Sequence, residues 1–146
     1  MRYVKCVCLC ALTALWDCAL RVEGMLSYSI RTVAGSGSRG YSGDSGSATS
    51  ATLNNPFGLC DDTAGNLYIG DESNHRVRKI VADTDIITTF AGSGSQGFAG
   101  DGLQATASSV MLLVPRGVWM SSVNVLYIAD CNNHRIQVFH LPSLAF

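Results

Sequence analysis

Leu67-Tyr-Ile-Gly-Asp71-Glu-Ser-Asn74-His75-Arg76-Val-Arg78-Lys-Ile80 returns fifty-nine positions later as Leu126-Tyr-Ile-Ala-Asp130-Cys-Asn-Asn133-His134-Arg135-Ile-Gln137-Val-Phe139. A second pair of copies precedes them: Val33-Ala-Gly-Ser-Gly-Ser-Arg-Gly-Tyr41-Ser-Gly-Asp44 is matched by Phe90-Ala-Gly-Ser-Gly-Ser-Gln-Gly-Phe98-Ala-Gly-Asp101 at an offset of fifty-seven. The chain is a tandem array. A period of this size is the mark of solenoids and propellers, in which one repeat cannot bury its apolar face alone and must stack on its neighbours.

Composition narrows the class further. Of the 146 residues, 47% are hydrophobic and 14% charged, which suits a packed globule rather than a disordered tail. The formal net charge of -1, with no basic cluster beyond Arg76, Arg78 and Lys79, argues against nucleic acid as a partner, because that binding rests on many cations facing phosphates. Residues 1–24 read as a secretory signal peptide or an N-terminal extension: Arg2 and Lys5 precede the apolar run 6–15, and Val22-Glu-Gly24 follows. That run is too short to span a bilayer, so no membrane span is expected and the location implied is extracellular. Four of the six cysteines, Cys6, Cys8, Cys10 and Cys18, fall in this segment. None has a His partner at ligand spacing, and Cys60 and Cys131 are expected as free buried thiols rather than a disulfide.

Along the chain, strands are expected near 30–34, 57–61, 67–70, 76–81, 86–91, 117–120, 126–129 and 135–139, separated by Gly, Asn, Asp and Pro turns. Gly35-x-Gly37-x-x-Gly40 follows the first strand, with Asp61 about twenty residues on, and so invites a dinucleotide-binding reading. The reading fails on context. A pyrophosphate needs a helix opening at the third glycine, whereas Tyr41-Ser-Gly-Asp-Ser-Gly-Ser is a poor helix former, and the motif recurs at Gly92, Gly94 and Gly97 as a repeat turn would. No cofactor is expected. Four short antiparallel strands per period, with no long helix, is the arithmetic of a propeller blade. The fold expected is therefore all-β, as an incomplete ring of about two blades. Residues 29–91 hold an outer strand plus the first blade, 92–140 a linker loop plus a second blade without its fourth strand, and 141–146 a tail. An incomplete ring exposes strand edges and apolar faces, so closure needs self-association or a longer parent chain.

Asn54-Asn-Pro56-x-Gly58, Gly65-Asn-Leu-Tyr-Ile-x-Asp71, Asn74-His-Arg-Val-Arg-Lys-Ile80 and the Ala-Gly-x-Gly linker fall in the order of the NHL repeat family, named for an Asn-His-Leu triplet near Asn74-His75-Arg76 and Asn133-His134-Arg135. The resemblance covers residues 29–140. It implies a β-propeller, often of about six blades, used as a binding platform; some members are lyases with a metal at the ring centre. The second repeat departs from the pattern by lacking Gly-Asn before Leu126 and by carrying Gln137 in place of Arg78.

Asp71, Asn74 and Arg76, with Asp130, Asn133 and Arg135, are the polar residues repeated once per blade. Their spacing suits a structural bracket that satisfies backbone groups between neighbouring blades, because buried turns carry donors and acceptors that must be paired. His75 and His134 would sit a blade's width apart, too far to share a metal, which needs every ligand atom at about 2 Å. Asp44 and Asp101 lack the Asp-x-Asp-x-Asp spacing of a calcium loop, and no catalytic set rises above background. Two functions follow: a non-enzymatic extracellular module whose rim contacts a protein or a carbohydrate, or part of a lyase- or lactonase-type enzyme with an axial metal.

Overall fold

The computed structural model describes residues 29–105 and 107–141. Residues 1–24, read as a leader, lie outside them. The chain divides into Met1–Arg31 and Thr32–Phe146, and the second of these carries the fold. Eight strands follow one another: β1 (Gly46–Ser47), β2 (Pro56–Asp61), β3 (Leu67–Asp71), β4 (Arg76–Ile80), β5 (Ile86–Ala91), β6 (Pro115–Met120), β7 (Val125–Asp130) and β8 (Arg135–His140). They form two antiparallel sheets, ordered β1-β5-β4-β3-β2 and β6-β7-β8. These are two propeller blades side by side, and the ring is not closed.

Local chemistry sets each corner. The Asp62 carboxylate accepts from the Ala64 and Asn66 amides at 3.0 and 2.9 Å and from Asn66 Nδ2 at 2.9 Å, closing the β2–β3 hairpin around Gly65 at φ 83°. In the second blade Asn124 takes the left-handed conformation at φ 58° and Ser121 Oγ accepts from the Val125 amide. Asn is among the few non-glycine residues that tolerate this region, so the hairpin survives the loss of Gly-Asn. A bulge recurs at Pro56/Leu59 and at Pro115/Val118, where proline cannot donate to the ladder.

The blades pack through a shared apolar layer. Tyr68, Val77 and Ala91 of the first meet Val118, Leu126 and Ile128 of the second, with Leu112 from the linker. Tyr68, Phe90 and Phe139 stack edge to face in a row, at centroid separations of 5.1 and 5.9 Å. A second cluster, Ile69, Ile80, Ile87, Ala48 and Ala51, seats the loop before β2 on the other face of the first sheet.

The expected first strand over residues 29–34 is not formed: none of them is in a strand, and Val33 and Ala34 pack against the second cluster. A strand needs a ladder partner, and this segment has none among the described residues. The outer edge of β5 is instead taken by β1, with Gly46 opposite Ile87 and Ser47 opposite Ile86.

Candidate functional site

The turn after β3 and its copy after β7 gather the repeated polar residues. Each begins with a buried aspartate, runs through a short 3-10 turn (Glu72–Asn74 or Cys131–Asn133) and ends on a left-handed histidine, His75 at φ 55° and His134 at φ 53°. Asp71 accepts from the Asn54 amide at 2.8 Å and from Asn74 Nδ2 at 2.8 Å, and Asn74 Nδ2 also donates to the Gly40 carbonyl at 2.8 Å. Asp130 accepts from the Leu113 amide at 2.7 Å and from Asn133 Nδ2 at 2.6 Å, while Asn133 donates to the Gly97 carbonyl at 2.7 Å. These bonds hold each glycine-rich loop to the turn of its own repeat. That differs from the expected link between neighbouring blades, because the loop folds back over the sheet that follows it.

The contacts that do cross between blades come from other residues. His75 Nδ1 accepts from the Val114 amide at 3.2 Å, Arg116 pairs with Glu72 at 3.1 Å, and Thr63 donates to Asn124 at 3.2 Å. Replacing His75 by Ala should therefore cost about 1 kcal/mol, since it leaves the half-buried Val114 amide unpaired. Urea denaturation measures it, and a cost no larger than that of His134→Ala would show that the bond contributes nothing.

Arg76 and Arg135 stand opposite Asp71 and Asp130 in the strand ladders, but their guanidinium groups are engaged on the loops. The Arg76 guanidinium covers the Tyr41 ring at 3.9 Å and reaches the Gly92 carbonyl at 3.4 Å, and Arg135 covers the Phe98 ring at 3.4 Å. They are stacked on equivalent aromatic residues of the two loops. The cation that does reach the aspartate is Arg78, which was not singled out in the sequence. It is fully buried, with Nη2 on Asp44 at 2.6 Å and on the Ser42 carbonyl at 3.2 Å, and Nη1 on Asp71 at 3.4 Å. The available signal was its alternation: Arg78 falls in phase with Ile80, which packs in the second apolar cluster.

Tyr41 Oη and Thr89 Oγ1 also donate to Asp44, at 2.9 and 2.7 Å. Burial alone would raise the Asp44 carboxyl, but Thr89, Tyr41 and Arg78 together hold it below its ordinary value of 3.8. Asp71 moves the other way: burial outweighs Asn74, the Asn54 amide and Arg78, and pushes it up. The two have opposite effects on pH dependence. The contribution of Asp44 is present above pH 3.8 and disappears as pH falls through its lowered folded value, whereas that of Asp71 is greatest in acid and declines as pH rises through its raised one. Asp44→Asn should make the fall of the melting temperature below about pH 4 shallower. Parallel acid limbs for variant and parent would sink this assignment.

Among the described residues no three His, Cys, Asp or Glu side chains lie close enough to hold a metal ion. No α-helix follows Gly35, Gly37 and Gly40; the nearest helical element is the 3-10 turn Ala48–Ser50. Cys60 and Cys131 are half-buried and not bonded to each other, and burial, with Asp61 and Asp62 nearby, pushes the Cys60 thiol up to about 11. Concave and apolar surface is found on the second blade. A groove of about 740 Å³ runs between β8 and the loop 99–105, and Trp119 and Tyr127, 5.4 Å apart, stand exposed on the blade's outer face.

The sequence signature of the NHL repeat matches residues 112–139. Over 103 residues the chain is 34% identical to human NHL repeat-containing protein 2, covering 67% of this chain and 13% of that protein; the bovine protein of the same name is 32% identical over 100 residues with the same coverage. The chain thus spans about an eighth of these relatives. Among solved structures it superposes on a putative phosphatase from Bacteroides thetaiotaomicron with a TM-score of 0.57 and 25% identity, covering 73% of this chain and 25% of that one. An auxiliary nutrient binding protein from the same species gives a TM-score of 0.56 at 24% identity, over 73% of this chain and 27% of the other. The shared order of β2-β3-β4 and β6-β7-β8, the same aspartate-asparagine turn in each sheet and these sequence matches agree: the chain belongs to the NHL repeat family.

Proposed function

We propose that this propeller fragment is a non-enzymatic binding module that works outside the cytosol and takes a protein or carbohydrate ligand at its surface. One observation carries the reading: Asp71, Asn74, Asp130 and Asn133, the repeated polar residues most able to do chemistry, spend their hydrogen bonds on backbone groups and side chains of their own blade. Arg76 and Arg135 are likewise engaged on aromatic rings. The six residues serve as structural brackets on this reading. Groups committed to holding a loop are poorly placed to activate water or bind a substrate.

What remains free is exposed apolar and aromatic surface, the material of recognition rather than of bond cleavage. The likeness to nutrient binding proteins points the same way, and the apolar run within residues 1–24 supports export. Two measurements on the purified chain test the reading: metal content, and turnover of a generic phosphomonoester and a generic lactone, alongside a glycan array. Saturable binding without stoichiometric metal or turnover is expected. A stoichiometric metal accompanied by turnover would overturn it in favour of a propeller enzyme.

A further inference from the structure

In the first blade the slot beside β4 is filled by β5, whose sequence is Ile86-Ile87-Thr88-Thr89-Phe90-Ala91, leading into Gly92. The equivalent slot of the second blade, beside β8, is the 740 Å³ groove, with Phe90, Leu112 and Phe139 among its lining and the loop 99–105 as its far wall. No described residue pairs with that edge of β8. The chain contains one further segment with the pattern of β5: Ile30-Arg31-Thr32-Val33-Ala34-Gly35, fifty-seven positions earlier, which forms no strand where it stands. We propose that a second copy of this chain inserts its residues 29–34 as a strand into the groove beside β8, completing the second blade head to tail.

The chemistry of the slot supports this occupant residue by residue. In the first blade the Thr89 hydroxyl donates to Asp44 at 2.7 Å. The counterpart of Asp44 is Asp101, in the wall of the groove, and that of Thr89 is Thr32. The incoming strand thus brings a hydroxyl to an aspartate placed to accept from it. Register follows from the same comparison. Arg78 lies opposite Thr89 and Ile80 opposite Ile87, so Gln137 takes Thr32 and Phe139 takes Ile30.

The adjoining faces match as well. Val77 is buried beneath the second blade, whereas its counterpart Ile136 is 64% exposed; Val118 is buried in the same layer, and its counterpart Leu59 is 62% exposed. Each chain therefore offers at one end the apolar face that its other end is shaped to cover. Ala129, in the place of Gly70, sets this contact wider than the one between the chain's own blades. Such a contact is heterologous, and it closes only if the rotation per copy completes a circle.

The test mixes two full-length variants, one carrying Thr32→Cys and the other Gln137→Cys, under mild oxidation. Opposed residues in an antiparallel pair lie about 4.5 to 5.5 Å apart between Cα atoms, within disulfide range. Peptide mapping separates a 32–137 linkage from any bridge involving native cysteines, and only different copies can form it. The expected result is that linkage in the mixture, together with concentration-dependent association of the parent chain in sedimentation. Thr32→Asp, which sets a carboxylate against Asp101, should weaken association about tenfold or more, while Thr32→Ser retains it. A parent chain that stays monomeric at every concentration overturns the proposal. Association without the 32–137 linkage does the same.

Discussion

Replacing Arg78 by Ala should lower stability by about 3 kcal/mol or more, the loss typical of removing one partner from a buried ion pair. The guanidinium is fully buried, as is the Asp71 side chain that it meets at 3.4 Å, so the variant would strand a carboxylate where water cannot replace the lost donor. Asp71 would keep its bonds from the Asn54 amide and Asn74, which limits the damage. The Asp44 pairing is shorter, at 2.6 Å, but that side chain is 34% exposed and recovers part of its loss from solvent. The loop itself would also loosen, because Arg78 joins the Ser42 carbonyl and, together with Thr89, Asp44 to the sheet.

A double-mutant cycle isolates the cause. Arg78→Met keeps much of the side chain's volume and removes its charge, and adding Asp71→Asn should restore part of the lost stability by removing the stranded carboxylate. Urea denaturation of the four proteins gives the coupling. If the two changes simply add, the Asp71 charge is not what Arg78 compensates, and its contribution lies in packing and in its bonds to Asp44 and the Ser42 carbonyl. The second repeat supplies an internal comparison: Gln137 stands at the equivalent position, and Asp130 is held by the Leu113 amide and Asn133 without a guanidinium.

Gly58→Ala should be the other severe substitution, costing about 3 kcal/mol as an overpacked contact between backbones that cannot yield. A methyl group there would run into the Arg116 carbonyl oxygen and come within 2.9 Å of the Val118 amide nitrogen, both main-chain atoms of the second blade. Gly70 faces the same strand, with the Arg116 carbonyl oxygen 2.7 Å and the Pro115 carbonyl oxygen 2.9 Å from an added Cβ. Two glycines thus let β6 approach the first sheet closely enough for Val118 to reach the shared core. Gly117→Ala is the control, since its Cβ would meet only the Ala129 methyl, at 3.4 Å. Measured at low protein concentration, Gly58→Ala should melt well below the parent and Gly117→Ala close to it. Equal melting temperatures for the two would mean that the blades do not depend on this close approach.

The repeat, the antiparallel strands and the blade architecture were legible in the amino-acid order because each rests on local periodicity and turn chemistry. Leu67-Tyr-Ile alternates into two faces, Gly65-Asn66 marks a tight hairpin, and the copy fifty-nine positions on repeats the strands and the turn that follows them. The aspartates and asparagines of the turns were legible for the same reason: Asp71 and Asn74, or Asp130 and Asn133, meet across three positions. Long-range partners were not. That Arg78, and not Arg76, joins Asp71 is beyond alternation, which puts both side chains on one face of β4 with both guanidinium groups near the Tyr41 ring; it is set by how the loop bearing Tyr41 and Asp44 crosses that face. That residues 29–34 form no strand follows from the absence of a ladder partner among the described residues, which no local propensity can supply. Sequence by itself determined what each segment is able to become; the tertiary structure decided which segments find partners, because a backbone hydrogen bond needs a second chain segment and a buried charge needs a counterion brought from elsewhere in the fold.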